Sequence, residues 1–303
     1  NIAAAEINNA FARYAMKKAL IILLLFSFIF TSCASVIPSP EQKISVISAM
    51  DFSYSDSENS DSIKLSYNKD GNLSEILETA SYFDGSERET ESWKTSFEYD
   101  ENGFLQKSFT YRNDEMAFWY DYKCNSEGKI IEARKYDFDA FRCYIEYFYN
   151  SDGTLARANI YNGYSDLLFT SEYSYNDAGN IILEDATWIY SSSSGWKCHN
   201  FSYSYSPNSD SKLMSFNISY ADPESDKYFG TDYALEYDSS GKLCKSINSY
   251  SDEYFSTENY TCTYQHTVID VTDKTTLFLS DGDQYCDPFF GIYCIEGIAN
   301  ANF

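Results

Sequence analysis

The sequence is punctuated by one short motif, and its recurrence limits the fold more than any other feature. Tyr99-Asp100-Glu101-Asn102-Gly103-Phe104-Leu105 has near-copies at Tyr67–Leu73 (YNKDGNL), Cys124–Ile130 (CNSEGKI), Tyr149–Leu155 (YNSDGTL), Tyr175–Ile181 (YNDAGNI) and Tyr237–Leu243 (YDSSGKL). A longer copy without glycine stands at Tyr205–Leu213 (YSPNSDSKL). In each motif an aromatic or cysteine ends one apolar-alternating run and Leu or Ile opens the next. Asn or Asp follows the first residue in most copies; its short side chain bonds to the backbone two residues on. The glycine falls where the chain needs φ > 0, a region in which a Cβ clashes. A Gly-containing connection of three to five residues between such runs is a hairpin signal. The spacing sets Tyr99 opposite Leu105 across the ladder.

The motif glycines, Gly71, Gly103, Gly128, Gly153, Gly179 and Gly241, follow one another at steps of 32, 25, 25, 26 and 62. The last step spans two units, with the glycine-free copy between them. About 25 residues holds two strands and two turns. The second turn of each unit is variable and polar, as in Phe83-Asp84-Gly85-Ser86, Arg112-Asn113-Asp114-Glu115 and Asn162-Gly163-Tyr164-Ser165. Self-similarity at a fixed period marks an array whose units bury their apolar faces only together. Alternation supports this: Phe201, Tyr203 and Tyr205 line one face of a run, with Ser202 and Ser204 on the other. The expected fold is all-β, a long antiparallel meander of repeated hairpins, about 25–32 residues each. Its 14–16 or so strands form a twisted sheet curling into an open or partly closed barrel or shell.

Along the chain, residues 1–15 precede Met16 and read as an upstream extension without structure. Residues 16–32 combine Lys17-Lys18 with the apolar run 19–30, which is short for a membrane span. The run ends in Phe30-Thr31-Ser32-Cys33, which resembles the lipobox of bacterial lipoprotein signals, with Phe30 where Leu is usual. The resemblance implies cleavage before Cys33, lipidation of Cys33 and attachment to a membrane. Ala34-Ser35, lacking an Asp after the cysteine, implies the outer membrane or cell surface. Residues 33–42 form a tether with Pro38 and Pro40. Residues 43–270 are the repeat domain, and 271–303 read as closing strands that cap its last edge.

The unit x-Tyr-x-Tyr-Asp-x-x-Gly-x-Leu is similar to the YD repeat of Rhs-type bacterial surface and toxin-shell proteins. That resemblance implies a wide antiparallel sheet outside the cytoplasm. Rhs repeats usually carry Arg after the glycine; here Asn, Phe, Lys, Thr, Asn and Lys stand there.

A net charge of −24 argues against nucleic acid, whose phosphates need Lys/Arg patches. The 29 tyrosines suit either a half-wet sheet or a face that binds protein or glycan. Of the eight cysteines, Cys244 and Cys262 are centred on the Ser251-Asp252-Glu253 turn and are a candidate disulfide, as are Cys286 and Cys294. Cys124, Cys143 and Cys198 remain, and free buried thiols are the alternative for all of them.

Chemistry-bearing constellations are missing. His199 and His266 lie in predicted strands without metal-ligand spacing, and there is neither a nucleophile elbow nor a phosphate loop. Asp281-Gly282-Asp283 and Asp56-Ser57-Glu58 lack the calcium-loop pattern. No cofactor, no metal and no catalytic residue is expected. The reading is a non-catalytic, lipid-anchored envelope protein with a structural, adhesive or binding role. Its rivals are a periplasm-facing chaperone-like protein holding an apolar client, and a glycan-active enzyme using a carboxylate pair.

Overall fold

The computed structural model describes residues 43–54, 59–84, 87–177, 181–188, 197–205, 213–222, 227–240, 242–251 and 260–270, with two short strands beyond. Sixteen strands follow one another: β1 (Lys43–Tyr54), β2 (Ser60–Tyr67), β3 (Leu73–Asp84), β4 (Glu87–Tyr99), β5 (Leu105–Arg112), β6 (Glu115–Cys124), β7 (Ile130–Asp137), β8 (Ala140–Tyr149), β9 (Leu155–Asn162), β10 (Leu167–Tyr175), β11 (Ile181–Trp188), β12 (Lys197–Tyr205), β13 (Leu213–Asp222), β14 (Lys227–Tyr237), β15 (Leu243–Ser251) and β16 (Tyr260–Asp270). Each pairs antiparallel with its chain neighbours, and β1 also pairs with β16, so the meander closes into a barrel. The strand that meets β16 and completes the ring is therefore β1. The described part of the C-terminal segment, β17 (Phe278–Leu279) with β18 (Ala299–Asn300), forms a separate two-stranded sheet.

The repeat motifs form one rim. Gly71, Gly103, Gly128 and Gly153 have φ of 79°, 84°, 83° and 89°. Around Gly103, the Asp100 amide donates to the Phe104 carbonyl at 2.8 Å, and the Gly103 amide donates to the Asp100 carbonyl at 3.1 Å. The Asp100 carboxylate also accepts the Asn102 and Phe104 amides, each at 2.8 Å. Asn68, Asn125 and Asp238 repeat this arrangement. At Asn150 it differs: Asp152 takes the Thr154 amide instead, at 3.0 Å. Gly179 and Gly241 lie outside the described residues.

Tyr99 does pair with Leu105, and Tyr67, Cys124, Tyr149 and Tyr175 pair with Leu73, Ile130, Leu155 and Ile181. Three of these tyrosines also reach the strand before their own. Tyr99 Oη donates to the Leu73 carbonyl at 2.6 Å, Tyr149 to Ile130 at 2.7 Å and Tyr175 to Leu155 at 2.8 Å. Where cysteine replaces tyrosine, Cys124 Sγ makes the same contact to Leu105 at 3.5 Å. The motif thus turns one hairpin and fastens it to its predecessor. Directly after every such pair the register shifts by one residue, a bulge recurring with the repeat. Bulges bend and twist a sheet, which brings β16 round to β1.

The inward face is apolar. Met50, Phe52, Ile63, Leu65, Phe97, Phe118, Tyr120, Ile145 and Ile160 belong to one buried cluster. A round barrel of sixteen strands leaves a water-filled lumen. Here Met50 is 0% and Tyr120 1% exposed, so among the described side chains the interior beside β1–β9 is filled. Several of its polar groups pair with one another: Ser108 with Tyr122 and Ser246 with Tyr264, both at 2.9 Å, Asp61 with Tyr54, and Glu91 with Arg112. The outward face carries charge, with Lys64, Glu98, Asp121, Lys123, Arg134, Arg157 and Glu172 exposed.

Candidate functional site: an aromatic stripe and its rim

Outward side chains on β5–β9 form an aromatic stripe in the half of the barrel away from the repeat turns. The strand pairs Phe109/Trp119, Trp119/Tyr136 and Tyr144/Tyr161 bring rings of successive strands together. Their centroids lie 6.3, 4.2 and 4.6 Å apart at interplanar angles of 25°, 9° and 8°. Phe141 bridges the middle, 5.6 Å from Tyr136 and 6.3 Å from Tyr144. Lys107 Nζ sits 5.2 Å from the Trp119 ring centre. Aromatic pairs of this kind contribute about 0.5–1.5 kcal/mol each beyond burial, so the stripe ties five strands together.

The stripe rises to the variable rim, where two hairpin tips carry aromatic residues. Phe138 follows Asp137 and is 68% exposed; Tyr164 sits in the Asn162–Asp166 turn and is 90% exposed. Trp119 Nε1 donates to the Phe138 carbonyl at 2.7 Å, joining tip to stripe. The tip aromatics follow from no period, because each belongs to a turn that differs from its neighbours. A bulky aromatic between two aspartates in the second turn was the available signal (Asp137-Phe138-Asp139).

The residues singled out from the sequence do not converge on a reactive centre. Cys33, Cys286, Cys294 and the two acidic turns lie outside the described residues, as do the His199 and Cys198 side chains. Among the described residues no group of three His, Cys, Asp or Glu stands close enough to hold a metal. The proposed Cys244–Cys262 disulfide is not formed; both thiols are free, as is Cys124. The reason is register. Cys262 faces Ser246, two residues from Cys244, because the β15–β16 turn is centred one residue later than a symmetrical hairpin on Glu253. Cys244 occupies the bulge position and donates to the Glu236 carbonyl at 3.4 Å. Cys143, by contrast, is in a disulfide.

Burial pushes the Cys262 thiol up to about 12 and the Cys124 thiol up to about 11. At pH 8 only about one Cys262 thiol in ten thousand is then a reactive thiolate. Iodoacetamide at pH 8 should label half-exposed Cys244 first, Cys124 far more slowly and Cys262 only on unfolding. Peptide mapping by mass spectrometry checks the order, and rapid modification of Cys262 in the folded protein would contradict it.

Fold and face together define the class: a closed, all-antiparallel β-meander barrel with a filled apolar interior and a charged outer wall. Neither a protein-family model nor a curated protein matches the chain. Among solved structures it is similar to a porin-like protein from Bacteroides uniformis, at 12% identity and a TM-score of 0.52, covering 73% of this chain and 98% of that one. It also aligns with part of the Photorhabdus luminescens Tc holotoxin pore, at 17% identity and a TM-score of 0.33, covering 67% of this chain and 11% of that one. The first likeness is one of fold. A barrel that spans a bilayer needs an apolar outward band, and an outward Lys or Arg at the midplane costs about 2–4 kcal/mol. Lys64 and Arg134, midway along β2 and β7, point outward here, so charge interrupts such a band on the described wall.

Proposed function

We propose that this chain is a non-catalytic bacterial envelope protein, held to a membrane by lipid on Cys33, whose barrel stands in water and binds a protein or glycan. The reversal of faces relative to a membrane-spanning barrel carries this reading: the fold is at home beside a membrane but needs a separate anchor. Topology supports the orientation. β1 enters and β16 leaves at the rim formed by the repeat turns. A tether over 33–42 extends at most about 35 Å, so that rim lies nearer the bilayer and the variable rim points away. The filled interior speaks against a chaperone that encloses an apolar client.

Two measurements test this. The wild-type chain should label with radioactive palmitate and sediment with membranes, whereas Cys33→Ser should do neither. Membrane association that survives Cys33→Ser would refute the anchor. The soluble Cys33→Ser chain, presented to glycan arrays and envelope extract, should retain a saturable ligand, and absence of binding to both would refute the binding role.

A further inference from the structure

We infer that the Phe138 and Tyr164 hairpin tips form a docking site for a Lys/Arg-rich protein segment carrying an aromatic side chain. The inference rests on the reading of the barrel as a binding protein, and is independent of the lipid anchor.

The first of these tips carries a local cost. Asp137 and Ala140 pair across a two-residue tip in which Phe138 has φ 52°. A left-handed φ at the first central residue alone is the pattern of a type II′ turn, where glycine is the usual residue. A bulky side chain there is an outlier. Burial commonly offsets such a cost, but the Phe138 ring is 68% exposed. Tyr164, on the next tip of the same rim, is still more exposed, and Phe141 at the root of the first is 39% exposed. The sequence therefore keeps two aromatic residues in water on neighbouring tips of one rim, one of them in a backbone conformation that disfavours it. The Trp119 bond to the Phe138 carbonyl holds that tip in position. Strain without internal compensation, held rigid, is what a preformed contact surface requires.

Charge identifies the occupant. Asp114, Glu115, Asp139 and Asp166 are exposed around these tips. The two arginines beside these tips are already engaged, Arg142 with Asp137 at 2.8 Å and Arg112 with Glu91. The four carboxylates have no cationic partner among the described residues. An aromatic patch in a negative field attracts a cationic partner and repels a second copy of a chain with net charge −24. Cations also bind the faces of exposed aromatic rings.

The test uses the full-length Cys33→Ser chain and two dansylated hexapeptides of equal charge, Lys-Trp-Lys-Lys-Trp-Lys and Lys-Gly-Lys-Lys-Gly-Lys, followed by fluorescence anisotropy at low and physiological salt. The tryptophan peptide should bind the parent at least tenfold more tightly than the glycine peptide. Phe138→Gly with Tyr164→Ser should abolish that preference. Asp139→Asn with Asp166→Asn should weaken both peptides, whereas Glu98→Gln with Glu101→Gln at the opposite rim should leave both unchanged. Phe138→Gly alone should raise Tm by about 2–4 °C, because glycine accepts the left-handed φ. Binding lost while stability is gained separates a contact residue from a structural one. Undiminished preference for the tryptophan peptide in the Phe138→Gly/Tyr164→Ser chain would overturn the site, as would a fall in Tm for Phe138→Gly. If that double variant also retains the parent's glycan or envelope ligand, only this site is wrong; if the parent binds nothing in either format, the binding role itself fails.

Discussion

Between pH 9 and pH 12 the barrel is expected to lose stability steeply, with its urea midpoint falling at each step. Burial raises the hydroxyl pKa of Tyr67, Tyr99 and Tyr149, the aromatic residues of three repeat turns, and of Tyr264 on β16. The Cys124 and Cys262 thiols are raised to about 11 and about 12. These groups stay neutral in the barrel while the unfolded chain ionises, its thiols near pH 8.5 and its tyrosines near pH 10. Their contribution is therefore complete below the unfolded values and is lost as pH rises towards the folded ones. Each deeply buried group removes about 1.4 kcal/mol per pH unit once the unfolded form has ionised, and the more exposed Cys124 removes less. At pH 11 the three repeat tyrosines alone account for about 4 kcal/mol, a large part of the 5–15 kcal/mol typical of a folded protein.

Tyr99→Phe separates this from general alkaline damage. It removes the donor to the Leu73 carbonyl and should cost about 1 kcal/mol at pH 7. It should also flatten the decline above pH 10 by one group's share, because one fewer buried hydroxyl resists ionisation. A urea midpoint that stayed level to pH 12, or a Tyr99→Phe slope equal to that of the parent, would show that these hydroxyls ionise freely in the folded chain.

Replacing Gly103 by valine should destabilise the barrel by about 1–3 kcal/mol. At φ 84° a β-branched residue is strained whatever space surrounds it, and Gly103 is buried among the bonds that Asp100 organises. Gly103→Asn should cost distinctly less, since asparagine tolerates the left-handed region. The damage spreads beyond one loop, because Tyr99 beside it fastens β4 to β3 as well as pairing with β5. Urea titration with an unchanged slope would report this loss, and equal midpoints for the valine and asparagine chains would remove backbone conformation as the cause. The peptide preference assigned to the opposite rim should survive both substitutions in the folded fraction.

Much of the hairpin array was legible because turn chemistry is local. An Asn or Asp acceptor, a glycine three residues on and a closing Leu or Ile determine a loop whatever lies around it. Tyr99 opposite Leu105 followed from that spacing alone. The Cys244–Cys262 pairing misled because the β15–β16 turn repeats no motif, and a shift of one residue in its centre moves every facing pair. Asp137-Phe138-Asp139 marked a tip aromatic in the sequence, but the cost of Phe138 resides in a backbone angle that its two flanking aspartates do not disclose.

The sequence by itself determined that this chain is a succession of antiparallel hairpins with one kind of turn at one rim, because glycine, Asx side chains and two-residue alternation act over a few residues. Only the tertiary structure decided that the sheet closes, and which face looks inward. Closure depends on small bends added at a bulge in each repeat until β16 meets β1, a sum over the whole chain. The inward face follows from closure: the side that carries Met50, Ile63 and Tyr120 can leave water only once the ring is complete. The charged side is then the outer wall, and the variable turns become a rim opposite the one where β1 enters and β16 leaves.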